Sequence, residues 1–182
     1  MEWAKKMTNT LFMNTTAAAF AAIVLFIWNS ISWTVLPWQD LDVHQFTDQA
    51  EVMQSLLDHA PASGIYYIPG DDAAYTPSTP TAFVNVLKEG YQVGMEWMMI
   101  VGLLTNFLFA LVAVSLLGRT SGLSFKQRVG FVTGIGLVIG LAGNLPHWNW
   151  FGFPILYTLV QIMDSVIMWF LAGLVLARLV PE

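Results

Sequence analysis

Four long apolar runs divide this chain, and they constrain its fold more than any other feature. A helix that crosses a bilayer needs about 20 mostly apolar residues, each rising about 1.5 Å. Runs of that kind cover residues 14–34, 94–117, 129–145 and 154–177. Composition agrees with a lipid solvent. Hydrophobic residues make up 56% of the 182 and charged residues 10%, where a soluble domain carries about a quarter charged. So few charges could not cover a water-facing surface. The expected fold is an all-α membrane protein: a four-transmembrane-helix bundle with a small extracytoplasmic α+β cap between helices one and two.

The first run follows Lys5 and Lys6, as a signal peptide would. Its apolar stretch exceeds the usual 7–15 residues and no A-x-A site follows, so it reads as an anchor. The chain therefore divides into residues 1–34 (cytoplasmic N-terminus and span one), 35–93 (cap) and 94–182 (spans two to four and the C-terminus). Between spans three and four the eight residues PHWNWFGF read as a short turn.

Orientation follows from Lys and Arg, which favour the cytoplasmic side. Lys5, Lys6, Arg119, Lys126, Arg128 and Arg178 all fall on one side, and only Lys88 on the other. The opposite side carries Asp40, Asp42, Asp48, Glu51, Asp58, Asp71, Asp72 and Glu89. Tryptophans gather there too: Trp28, Trp33, Trp38, Trp97, Trp148 and Trp150. Indoles favour the headgroup level. Both termini are thus expected in the cytoplasm, and residues 35–93 outside.

Within the cap, Pro37 breaks span one. Thr47 is the expected cap of a short helix, with Asp48 and Glu51 near its positive end. Met53, Leu56, Leu57 and Ala60 recur at helical spacing, and Pro61 stops the helix. Residues 65–68 and 82–87 read as strands, the first closed by a Pro-Gly turn. So short a segment buries little surface alone. Its helix is expected to lie with its apolar face on the outer ends of the spans.

Span three carries Gly130, Gly134, Gly136, Gly140 and Gly143. Small residues four apart let helices approach closely in lipid. The alanines of span one, Ala17 to Ala22, offer a matching surface. Packing within the bundle is the plainer reading. A homodimer or partner interface through Gly130, Gly134, Gly136 and Gly140 is the other.

Asp164 is the deepest acid, about ten residues into span four. A carboxylate at that depth costs several kcal/mol unless protonated or partnered. Gln161 and Tyr157 share its face. Asn106, Asn144, His147 and Glu96, with Asn29 and Ser32, complete a set that suggests a polar pocket opening outward between spans two, three and four. No basic residue lies deep enough to pair with Asp164, so a protonated carboxyl bonded to an amide is expected. A buried network that fixes helix register is the competing reading.

Other chemistry is thin. The chain has no cysteine, which excludes disulfides, thiolate metal sites and thiol–quinone oxidoreductases. No basic cluster or phosphate loop suggests nucleic acid or nucleotide. No cofactor or metal is implied; a site from His44, Asp40 and Asp42 is weak.

The run W-N-S-I-S-W-T-V-L-P-W from Trp28 to Trp38, with S-G-I-Y from Ser63 to Tyr66, resembles a group of small uncharacterised bacterial membrane proteins. Those share W-x-x-I-S-W-x-x-L-P-W after an apolar first helix, often followed by His where this chain has Gln39. The resemblance covers mainly the first 70 residues. It implies a bacterial inner-membrane location and no activity. Three functions then compete: a non-enzymatic accessory or scaffold component, a small oligomeric transporter or ligand-binding protein using Asp164, and an outer-leaflet hydrolase pairing Asp164 with Glu96.

Overall fold

A computed structural model describes residues 2–70 and 76–181. Asp71 and Asp72 lie outside the described residues, as do the side chains of Lys5 and Lys6. The described residues form five α-helices, a 3-10 turn and one hairpin: α1 (Glu2–Thr34), the 3-10 turn (Pro37–Asp40), α2 (Gln49–His59), β1 (Gly64–Ile68), β2 (Ala82–Val86), α3 (Met95–Leu117), α4 (Phe125–Phe151) and α5 (Ile155–Leu179). Four of these helices are long and apolar enough to cross a membrane: α1 from Phe12 onward, α3, α4 and α5.

The expected turn between spans three and four is mostly helix. α4 continues through Pro146 to Phe151. A proline in a helix removes one backbone donor, here the one facing the Ala142 carbonyl, and a spanning helix tolerates that loss. Gly152, at φ 68°, then closes α4 in a left-handed cap, a conformation open to glycine at no steric cost. At 27 residues, α4 is about 40 Å long at helical rise. That exceeds the roughly 30 Å hydrocarbon core, a surplus that a spanning helix takes up by tilting or by reaching past it.

The helices pack in the order α3, α1, α5, α4. α5 lies along both α4 and α1, and α1 lies along α3, while α3 and α4 scarcely touch. The buried core gathers at the end away from the cap. Ala17, Ala18, Ala21 and Leu25 of α1 meet Ala110, Ala113, Val114 and Leu117 of α3 and Trp169, Ala172 and Leu176 of α5. The alanines of span one thus pack on α3 and α5. The glycines of α4 serve a different contact. A side chain at Gly136 would overlap Trp169 and approach Ser165 O to 2.9 Å, and one at Gly140 would come within 3.1 Å of Ile162 Cα. Gly130, Gly134 and Gly143 face open space. Small-residue packing therefore joins α4 to α5.

At the same end, Arg128 is buried and its Nη2 donates to the Val180 carbonyl at 2.5 Å. A cation there complements the negative end of α5.

Helix α2 departs from expectation twice. Its N-cap is Asp48, whose carboxylate accepts from Glu51 N at 2.9 Å. Thr47 precedes it; aspartate is the stronger cap of the two. And α2 buries no residue, Met53 being 53% exposed, so its apolar face does not lie on the bundle. The cap is held elsewhere. The 3-10 turn packs on α1 and α5. The antiparallel hairpin, with Gly64 opposite Val86, docks through rings: Phe83 lies 5.1 Å from Phe151 and 5.9 Å from Phe153, and Tyr67 5.4 Å from Phe151. Aromatic rings bring far more buried area per residue than the short aliphatic stripe of α2. Lys88 ties the two cap elements, its Nζ donating to Ala60 O at the end of α2 at 2.7 Å.

Candidate functional site

Asp164 occupies the face of α5 that meets α1, seven residues beyond Tyr157 and three beyond Gln161. It is 6% exposed. Its partners come from the end of α1 and the turn that follows. Trp28 and Ser32 lie one helical turn apart, on the same face of α1. Pro37, at the first position of the 3-10 turn, redirects the chain so that Trp38 and Gln39 fold back over that face. The Trp28 and Trp38 rings meet edge to face, 6.1 Å apart.

The hydrogen bonds form one connected network. Trp28 Nε1 donates to Asp164 Oδ1 at 2.6 Å. Gln39 Nε2 donates to Asp164 Oδ2 at 3.4 Å and to Ser32 Oγ at 2.9 Å. Gln39 Oε1 accepts from Gln161 Nε2 at 2.7 Å, and Trp38 Nε1 donates to Ser32 Oγ at 3.1 Å. The Gln39 amide thus spends both N–H donors and one lone pair, and Gln39 is 4% exposed. An indole nitrogen can only donate, so Oδ1 is an acceptor. The expected amide partner of Asp164 is present as Gln39, but as a donor to the carboxyl.

The other candidates are dispersed. Asn144 Nδ2 donates to Gly140 O of its own helix at 2.8 Å. The His147 ring, with Nδ1 2.8 Å from Gly143 O, packs against Phe151 and Phe153. Tyr157 joins that ring cluster through Phe153 at 6.0 Å. Glu96 is exposed in the first turn of α3. Asn106 lies on α3 beside α1 and lines a groove between them. Of the polar set expected from the sequence, Asp164, Gln161 and Ser32 meet in one network, and it lies between spans one and four rather than among two, three and four.

Four members came from the motif region. Ser32 was visible as a polar residue near the end of span one. Trp28 and Trp38 read as belt aromatics, and Gln39 only as the residue after the motif. Their signal was the four-residue step from Trp28 to Ser32 followed by a proline-initiated reversal. Among the described residues, no three His, Asp or Glu side chains converge to hold a metal ion, His44, Asp40 and Asp42 included. The prominent cavities lie away from Asp164, one of about 490 Å³ between the hairpin and the end of α4 and one of about 590 Å³ between α1 and α3. Both carboxyl oxygens are engaged, and the cluster's hydrogen bonds join α1, the 3-10 turn and α5. No family model matches the chain, and comparison with curated proteins and with solved structures finds no significant match.

Proposed function

We infer that the protein is a non-enzymatic accessory or scaffold component of a bacterial inner membrane, with Asp164 as a structural latch. Both termini lie in the cytoplasm and residues 35–93 outside, a topology supported by the one-sided Lys and Arg. One observation carries the reading: the chain's deep acid accepts from Trp28 and Gln39 at 6% exposure. A proton-coupled or hydrolytic carboxyl would have to meet water or substrate. The latch ties the 3-10 turn to α5, so the cap leaves the membrane at a fixed place and presents its acidic surface for docking.

The test is extraction of the full chain from native membranes into lipid nanodiscs, followed by native electrophoresis and mass spectrometry, for wild type and Asp164→Asn. A reproducible assembly larger than one chain, retained in Asp164→Asn where the variant folds, is the expected result. A clean monomer in native lipid would overturn the scaffold reading. A transport or hydrolytic activity lost in Asp164→Asn at unchanged thermal stability would overturn the latch and favour the transporter or hydrolase reading.

A further inference from the structure

The groove between α1 and α3 carries an unspent hydrogen-bonding group. Asn106 sits eleven residues into α3, roughly 16 Å along the helix from Met95, and is 6% exposed. A buried amide without a partner costs free energy, and asparagines in spanning helices usually bond across to a neighbour. Here, among the described residues, no side chain or backbone group bonds the Asn106 side chain, although α1 packs along α3. Asn106 instead lines the groove of about 590 Å³. Asn29 lines the facing wall, with its amide likewise uncommitted.

The remaining polar groups there are spent. Ser30, Thr34 and Thr105 each donate to a carbonyl four residues back in their own helix. Phe26, Met98, Met99 and Phe109 supply apolar walls, and Gly102 leaves room between them. No acidic or basic residue lines the groove.

Chemistry points to the occupant. From Met95 to Phe109 the open groove follows α3 for roughly 21 Å at helical rise, long enough for an extended hydrocarbon chain. Its walls are apolar and uncharged, and the unspent Asn106 amide asks for one uncharged polar partner. We propose that the α1–α3 groove binds a neutral lipid: a single hydrocarbon chain with an uncharged oxygen function, carbonyl or hydroxyl, that pairs with the Asn106 amide. The proposal goes beyond the scaffold reading and needs only that α1 and α3 span the membrane.

Native mass spectrometry of the detergent-solubilised full chain tests it, with a monoacylglycerol of one long chain as the probe and the fatty acid of the same chain as the charged control. Wild type is expected to hold one monoacylglycerol saturably and to prefer it to the fatty acid. Asn106→Leu should bind it about tenfold more weakly, the loss of one hydrogen bond in apolar surroundings. Its ligand-free melting temperature should equal or exceed that of wild type, because a buried unpaired amide is removed. Gly102→Phe should abolish the saturable adduct; should it fail to fold, Asn29→Leu combined with Asn106→Leu takes its place. Adducts that accumulate without saturating at one, equal affinity for the fatty acid, or wild-type affinity in Asn106→Leu would each overturn the proposal.

Discussion

The Trp28 indole N–H can only donate, and Asp164 Oδ1 is its partner. Removing either side therefore has a different cost. Asp164→Leu leaves an indole N–H and a Gln39 N–H unpaired in an apolar interior, and should cost about 3 kcal/mol. Trp28→Phe strands only Oδ1 and should cost about 1–2 kcal/mol. Asp164→Asn keeps an acceptor for Trp28 and should cost least, about 1 kcal/mol. Thermal unfolding in one detergent ranks the three, and equal melting temperatures would dismiss the latch. At this scale the sequence was half legible. Asp164 and Gln161 stand out because polar residues are expensive in a spanning helix. Ser32 enters the polar set from the end of span one, but Trp28, Trp38 and Gln39 do not, because near a helix end each has an ordinary interfacial explanation. Only the reversal at Pro37 brings them onto the acid, and no periodicity encodes that.

Between elements, small residues and rings do the joining. Gly136→Leu should be strongly destabilising, since its side chain would meet Trp169 Cγ within 2.8 Å and over-packing costs about 1–3 kcal/mol or more. Gly134→Leu, two residues away on the other side of the helix and facing open space, should change stability by less than about 0.5 kcal/mol. A reversed order in denaturant titrations would mean that Gly134 has a partner in the membrane. The hairpin depends on Phe83, whose ring meets Tyr67, Phe151 and Phe153. Two strands alone are marginal in water. Phe83→Ala should therefore release β1 and β2, seen as faster amide exchange over residues 64–68 and 82–86 with α5 unchanged. Span number and the two strands were readable from hydrophobic runs and turn residues. The length of α4 was not, because Pro146 and the polar HWNW stretch imitate a turn. The undocked face of α2 was also misleading, since amphipathic spacing reports a face and not what it meets.

For the whole molecule, the charge asymmetry supports the proposed sidedness, and the chain's lack of cysteine makes it easy to measure. Ser55→Cys in α2 should react with a membrane-impermeant maleimide in intact spheroplasts, and Ser121→Cys in the α3–α4 loop only after permeabilisation; the opposite pattern would invert the proposed topology. The order α3, α1, α5, α4 has a further consequence, for biogenesis. Trp28 and Asp164 are 136 residues apart, so at typical synthesis rates α1 waits roughly ten seconds or longer for its partner. Meanwhile the Trp28 indole can stay at the headgroup level, bonded to water. α5 has no such refuge: a lone aspartate near the middle of a helix opposes its partition into lipid by about 3 kcal/mol. The earlier helix is then the acceptor site that draws the later one out of the insertion machinery. A chain whose α1 has lost Trp28 would fail first as a nascent protein, in the yield of inserted α5, before it failed as a folded one.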